Sequence, residues 1–255
     1  MNRTPPLDVR RQLRREVGFG CPVEGCANPF LEWHHFDPPW REEEHHRPNG
    51  MIALCAEHHA KADAGAFTKG QFEELKRKAA ANAQAVSARF DWLRHDLLAI
   101  VGGNFYHETP VIFRYRDKSI IWFTRDDQGH LLLNVQMMST TREPRLIIEE
   151  HGWILRGTPQ DVECPPSGRL LNVRYPNGDA VRVEFYEVND SPEMTKRFPG
   201  ARAEQWGLKW PLTAVEVQYE IGGTGLRFGP RETTLPGVRM VNNFSSRCGC
   251  GIQLN

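Results

Sequence analysis

The 255-residue sequence lacks the features that would assign it to several large protein classes at once. No segment comes near the ~18 consecutive apolar residues that a membrane helix needs, and the N-terminus has no apolar h-region. Neither sign of charge is in excess, because 32 basic residues stand against 32 acidic ones. A nucleic-acid-binding domain usually shows a basic excess, so any such surface here must be local. We therefore expect a soluble cytoplasmic protein that makes no membrane contact.

Cysteine is scarce, and six residues in a chain of this length do not resemble a disulfide framework. Three of them, Cys21, Cys26 and Cys55, lie among histidines at metal-ligand spacing. Histidine is unevenly distributed, since six of the ten fall within 26 residues: His34, His35, His45, His46, His58 and His59. Composition therefore separates a His/Cys-rich N-terminal part from the rest of the chain.

The first candidate metal site consists of Cys21, Cys26, Cys55 and His58. Four residues separate Cys21 from Cys26, and further along the chain two residues separate Cys55 from His58. This donor set suits a closed tetrahedral zinc site that holds two loops together and supplies folding free energy. Ordinary reduced core cysteines are the alternative interpretation.

The second candidate site uses the remaining polar residues of the same segment: His34, His35, Asn49, His59 and Asp63. Adjacent residues of a strand point to opposite faces, so only one of His34 and His35 can bind a given metal ion. His59 and Asp63 are four residues apart, a helical spacing that places both on one face. A divalent cation at this site could polarise a phosphodiester while a neutral imidazole takes a proton from the attacking water.

At this point the sequence resembles the HNH endonucleases, a family with a ββα-metal fold and a zinc knuckle. The resemblance covers roughly residues 15–66 and rests on the doubled His34-His35, on Asn49 fourteen residues later, and on the run from Asn49 to His59. It implies that His34 is the first metal ligand and His35 the general base. Asn49 would orient the base or complete the metal shell, and His59 would be the last ligand, with Asp63 as a further candidate.

Two positions depart from the common pattern of that family. His58 stands where a knuckle built from four cysteines has its last one, and His34 stands where many members have aspartate. An imidazole nitrogen can bind zinc in place of a thiolate sulfur, so we still expect the structural zinc. The metal at the catalytic site stays open among magnesium, manganese, nickel and zinc.

The resemblance implies a metal-dependent endonuclease that hydrolyses DNA phosphodiester bonds, in a setting such as restriction, phage defence or mobile elements. A homodimer would place two centres on a two-fold axis and so favour double-strand cleavage. The alternative is a non-catalytic, zinc-stabilised module that binds nucleic acid or protein. Such a module needs only the first site, so the spare ligands of the second site favour an enzyme.

Other residues of this region have less specific interpretations. The N-terminal arm is the most basic stretch of the chain, and it either rests on phosphates or forms a solvated surface: Arg3, Arg10, Arg11, Arg14 and Arg15. His45 and His46 lie in a polar loop and are predicted to be solvated rather than ligating.

Downstream, a capping box at Thr68 and Gln71 marks the start of a helix. Apolar residues then recur by threes, fours and sevens until Gly102 and Gly103, which predicts one long helix over residues 67–101. Asn177-Gly178 predicts a hairpin between strands at 170–175 and 180–186. Further strands are predicted at 111–115, 120–124, 131–137, 146–155, 214–221, 226–229, 238–244 and 252–254.

These elements predict an α+β fold made of a small ββα-metal HNH head, a long connecting helix and an all-β C-terminal domain. The predicted domains are an HNH nuclease domain with a basic arm at 1–66, the connecting helix at 67–101, and a β-rich domain at 102–255. The role of the last domain is open among recognition, sensing and dimerisation.

Overall fold

The structure is a computed structural model, and it describes residues 2–81 and 85–255. Its four α-helices are α1 (Leu7–Glu16), α2 (Ala56–Asp63), α3 (Lys69–Ala81) and α4 (Ser191–Arg197). None of these helices is long and apolar enough to cross a membrane.

Most of the regular structure in the described ranges is extended. The first ten strands are β1 (Leu31–His35), β2 (Met51–Cys55), β3 (Ser87–Arg89), β4 (Leu98–Val101), β5 (Asn104–His107), β6 (Val111–Tyr115), β7 (Lys118–Arg125), β8 (Leu131–Gln136), β9 (Ile147–Glu149) and β10 (Gly152–Ile154). The remaining nine are β11 (Asp161–Glu163), β12 (Leu170–Arg174), β13 (Ala180–Val188), β14 (Leu212–Ile221), β15 (Leu226–Phe228), β16 (Thr233–Leu235), β17 (Val238–Met240), β18 (Phe244–Ser246) and β19 (Cys250–Leu254).

The predicted fold class is wrong. The chain is mostly β, with 36% strand and 17% helix, and a small ββα head followed by a β domain is not what it shows. Phe19 and Phe30 from the N-terminal part pack against the large core of the β-rich part, and α1 lies against β11. In addition, α4 lies within the region predicted to be all β. The boundaries at 1–66 and 102–255 stay a prediction.

The prediction of a long connecting helix is also wrong, although the start of the helix was predicted correctly. Thr68 N–H donates to Gln71 Oε1 and Gln71 N–H donates to Thr68 Oγ1, so the capping box is formed. The helix ends at Ala81, residues 82–84 lie outside the described residues, and β3 and β4 follow. The apolar side chains that continued the helical spacing, such as Val86 and Phe90, are buried in the core of the β-rich part instead.

Three sheets organise the strands. β1 and β2 form an antiparallel pair, with His35 opposite Met51. A seven-stranded sheet has the order β19-β6-β7-β8-β9-β10-β3, and a ten-stranded sheet runs β11-β12-β13-β14-β15-β16-β17 with β4, β5 and β18 attached through β14. Side chains from both large sheets, including Phe113, Leu133, Val183 and Val215, share one buried core.

The turn signals of the β-rich part were mostly correct. Asn177-Gly178 joins β12 and β13 with Arg174 opposite Ala180, as the hairpin signal predicts. Gly102 and Gly103, which were predicted to stop a helix, instead join the antiparallel strands β4 and β5. Both glycines have positive φ, at 59° and 67°, a conformation that glycine adopts without steric strain.

The basic N-terminal arm folds as α1, and three of its arginines pair with acidic residues of β11. Arg14 donates from Nε and Nη2 to the two carboxylate oxygens of Asp161, at 3.0 and 2.8 Å. Arg11 also reaches Asp161, at 3.2 Å, and Arg10 lies 3.8 Å from Glu163. The arm is therefore a helix docked on β11 and not a fully solvated surface, and its contact with phosphates stays a prediction.

Candidate metal centres

The first candidate centre lies where the loop after α1 meets the junction of β2 and α2. Cys21 and Cys26 belong to that loop, which turns through Gly25 at a φ of 75°. Cys55 is the last residue of β2 and also the N-cap of α2, and His58 lies in the first turn of that helix. The two loops predicted from the sequence therefore bring all four side chains together.

The spacing of these donor atoms fits a tetrahedral zinc ion. Zinc bonds of about 2.3 Å to sulfur and about 2.05 Å to nitrogen give edges of about 3.8 Å between sulfurs and about 3.6 Å between sulfur and nitrogen. Cys26 Sγ lies 3.8 Å from Cys55 Sγ. His58 Nδ1 lies 3.4 Å from Cys21 Sγ and 3.2 Å from Cys55 Sγ. The residues present thus fit the expected structural zinc.

The electrostatics of this centre agree with a cationic occupant. Burial, together with the neighbouring Cys55 and Cys26, raises the pKa of the Cys21 thiol to about 12. Three sulfurs so close together cannot all be thiolates in a poorly solvated site unless a positive charge lies between them. Zinc is such a charge, and it binds thiolates rather than thiols.

The second candidate centre contains His34, His59 and Asp63, whose ligand atoms lie within 4.8 Å of one another. His34 is near the end of β1, and the other two residues share one face of α2. Nδ1 of His34 lies 3.2 Å from Oδ1 of Asp63, and Nδ1 of His59 lies 3.4 Å from Oδ2 of the same carboxylate. Ligands about 2.1 Å from one cation at angles of 90° to 109° are separated by about 3.0 to 3.4 Å, so this geometry also fits a metal.

The buried nitrogen of His34 strengthens this interpretation. Nδ1 of His34 is buried, and its nearest polar neighbour in the second centre is Oδ1 of Asp63, at 3.2 Å. Burial and the nearby His59 lower the pKa of His34, so the ring favours its neutral form. A buried neutral imidazole nitrogen whose lone pair faces a carboxylate is a suitable metal ligand.

His35 has a different environment from its neighbour. Its Nε2 lies 3.0 Å from the backbone oxygen of His45, which can only accept, so Nε2 carries the proton. Its Nδ1 is therefore unprotonated in the neutral ring, and this buried atom has no hydrogen-bond partner among the described residues. Burial and the neighbouring His45 lower the pKa of His35 to about 4, so the ring is neutral near pH 7.

His34 and His35 nonetheless open into one cavity of about 390 Å³. Asp63, Trp40 and Arg3 also line this cavity. Arg3 is exposed, and no carboxylate in the described part of the chain pairs with it. A ligand in this cavity would meet two members of the metal-binding group, His34 and Asp63, together with the neutral ring of His35 and the guanidinium of Arg3.

Asn49 is the predicted site residue that the structure does not bring to the others. It lies in a short 3₁₀ turn before β2, where its side chain is exposed and makes no hydrogen bond to any described residue. The following Gly50 has the clearer structural role. A Cβ there would collide with the carbonyl oxygen of Asp37, which lies on the chain leaving β1.

His45 was missed by sequence reasoning, which predicted a solvated side chain. It is buried, its Nε2 donates to the Pro38 oxygen at 2.9 Å, and its Nδ1 accepts from the Arg47 N–H at 3.1 Å. These bonds fix the loop whose carbonyl holds His35. His46, which was also predicted to be solvated, is half-buried, lies over Trp40 and binds the Asn2 carbonyl oxygen at 3.0 Å. No local signal in the sequence distinguishes these two histidines.

Comparison with known proteins adds no relative to this picture. No family model, no curated protein and no solved structure matches the chain.

Proposed function

We propose that the protein is a metal-dependent endonuclease of the HNH type that hydrolyses phosphodiester bonds of DNA. The observation that carries the proposal is the shared cavity. His34 and Asp63 of the metal-binding group line it together with His35, whose buried Nδ1 has no hydrogen-bond partner among the described residues. A structural zinc domain has no need of this second group, because Cys21, Cys26, Cys55 and His58 already complete a tetrahedron.

In this mechanism His34, His59 and Asp63 hold the divalent cation. When bound, that cation supplies charge stabilisation at the phosphodiester and at the leaving oxygen. His35 acts as general base, because Nδ1 takes one proton from the water whose oxygen then bonds to phosphorus. The Nε2 bond to the His45 carbonyl oxygen keeps the ring oriented and is retained when the ring becomes an imidazolium. The role predicted for Asn49 stays a prediction, and Asn49→Ala tests it.

The test is plasmid cleavage by chelator-treated protein supplied with magnesium, manganese, nickel or zinc. Wild type should nick or linearise the plasmid with at least one metal, and His59→Ala should abolish that activity. His130→Ala is the matched control, because His130 also pairs with an aspartate four residues away, Asp126, at 2.9 Å. It should cleave like wild type.

Two outcomes would contradict the proposal. Folded protein that retains one zinc yet cleaves with no metal would favour the zinc-stabilised binding module. Equal loss of activity in His59→Ala and His130→Ala would show that the effect is not specific to the second centre.

A further inference from the structure

A second concave surface begins where α1 packs on β11 and continues onto the ten-stranded sheet. Its first part is a cavity of about 470 Å³ lined by Arg11, Arg15, Gln160 and Arg174 among others. Its second part is a cavity of about 380 Å³ on the sheet. Gln160 and Arg174 line both parts, so the two cavities adjoin at these residues. We call this surface the arginine groove: Arg15, Gln160, Arg174, Arg182, Gln218 and Arg227.

Strand register arranges the sheet part of the groove in two rows. Asn172, Arg182 and Gln218 are cross-strand partners on β12, β13 and β14. The next row runs from Arg174 through Ala180 and Glu220 to Arg227. Neighbouring strands lie about 4.8 Å apart, so Arg174 and Arg227 are separated by about 14 Å across three intervals. Guanidinium and amide groups thus line one extended polar surface.

Three of the four acidic residues that line the groove have arginine partners, and the fourth, Asp8, is exposed. Asp161 is bonded by Arg14 and Arg11, and Asp179 is bonded by the buried Arg145 at 2.8 Å. Glu220 has Arg227 at 3.6 Å. Arg15 and Arg174 are exposed, and no described carboxylate pairs with either. Five arginines and four acidic residues line the two cavities. Because Arg14 and Arg145 also pair with two of those acids, a chain of net charge zero presents a modest local excess of positive charge along this groove.

The groove lies within reach of the catalytic cavity. Arg3 lines that cavity, and α1 begins four residues later and carries Arg15 to the groove. Four extended residues and eight helical ones span at most about 26 Å. One turn of duplex DNA is about 34 Å long, so a single duplex could contact both places.

We infer that the arginine groove is the docking surface for the DNA substrate, which gives the β-rich part its role. The inference rests on the proposed function, because the substrate is the nucleic acid that the catalytic cavity would cut. Phosphates bind the unpaired arginines, and the amides of Gln160 and Gln218 contact the backbone or base edges. Arginines that neutralise phosphates release the counterions condensed on DNA, so affinity at this groove depends strongly on salt.

The experiment measures binding of a fluorescent 20-base-pair duplex at several salt concentrations, without divalent cation. The variants are Arg15→Gln, Arg174→Gln and their combination, in the full chain with its zinc. The slope of log K against log salt is negative, and its magnitude should fall by about 0.9 in each single variant and by about 1.8 in the double variant. Arg202→Gln is the control, because Arg202 is exposed and unpaired among the described residues beside α4. It should match wild type.

Hydrolysis of bis(p-nitrophenyl) phosphate with added metal separates this inference from the proposed function. This small diester needs the catalytic cavity but not the groove, so all three groove variants should retain wild-type rates. Unchanged DNA affinity and slope in the double variant would overturn the inference, as would tighter binding to polyglutamate than to DNA. Absence of diester hydrolysis in wild type would overturn the catalytic proposal, whereas the DNA-binding measurements would still test the groove independently.

Discussion

Replacing Arg14 by methionine should destabilise the protein strongly, because it leaves a buried carboxylate with one weaker partner. The Arg14 side chain is 4% exposed and that of Asp161 is 10% exposed. Removing one member of a buried ion pair costs about 3–5 kcal/mol. Arg11 remains 3.2 Å from Asp161 but is 40% exposed, so the lower end applies, at about 3 kcal/mol. For a chain of this size the expected fall in Tm is about 6 to 12 °C.

A double-mutant cycle measures the pair directly. Arg14→Met with Asp161→Leu removes both charges, and replacing a buried pair by apolar side chains is often nearly neutral. The double variant should therefore lie within about 1 kcal/mol of wild type while each single variant loses more. Urea unfolding of zinc-loaded protein, followed by tryptophan fluorescence, gives the four free energies. Additive losses in the double variant would refute the reasoning, because they would mean that the two side chains do not stabilise each other.

Three further predictions concern the zinc centre, a histidine and a glycine. Cys26→Ala should lose the bound zinc and unfold at lower temperature, whereas His58→Cys should keep one zinc per chain, as measured by elemental analysis. A zinc content in Cys26→Ala equal to that of wild type would contradict this prediction. Burial lowers the pKa of His151 from 6.5 to about 4, so stability is full above pH ~6.5 and is lost as pH falls toward about 4, by roughly 3 kcal/mol. His151→Gln should flatten that part of the stability profile, and a slope equal to that of wild type would count against the assignment. Gly50→Ala should unfold or aggregate, because its Cβ would collide with the Asp37 carbonyl oxygen. In contrast, Gly70→Ala in α3, where a Cβ meets nothing, should raise the free energy of unfolding by up to about 1 kcal/mol. Equal thermal stability of these two variants would show that the collision is relieved.

Local signals in the sequence predicted local structure well. The capping box at Thr68, the hairpin at Asn177-Gly178 and strand β6 follow from residues that lie next to one another. The cysteine spacing also predicted which four side chains meet at the first centre. In each case the physical cause is a turn, a cap or a ligand set formed over a few residues.

Predictions that depended on distant partners failed. The arginines of α1 bind acids on β11, and Arg14 lies 147 positions from Asp161, so no nearby residue indicates their role. The apolar spacing over 86–100 indicated a helix because Val86, Phe90 and Leu97 fall at helical intervals. These side chains instead fill a core made by two sheets whose strands come from the whole downstream chain.

The most direct test of the catalytic assignment compares wild type with His35→Ala in two measurements on the same preparations. Manganese binding by isothermal titration should be equal in both proteins, because His35 lies outside the group of His34, His59 and Asp63. Cleavage of plasmid DNA should fall by about 10²- to 10⁴-fold in the variant, the usual contribution of a general base. Undiminished cleavage by His35→Ala, with manganese binding intact, would contradict the account.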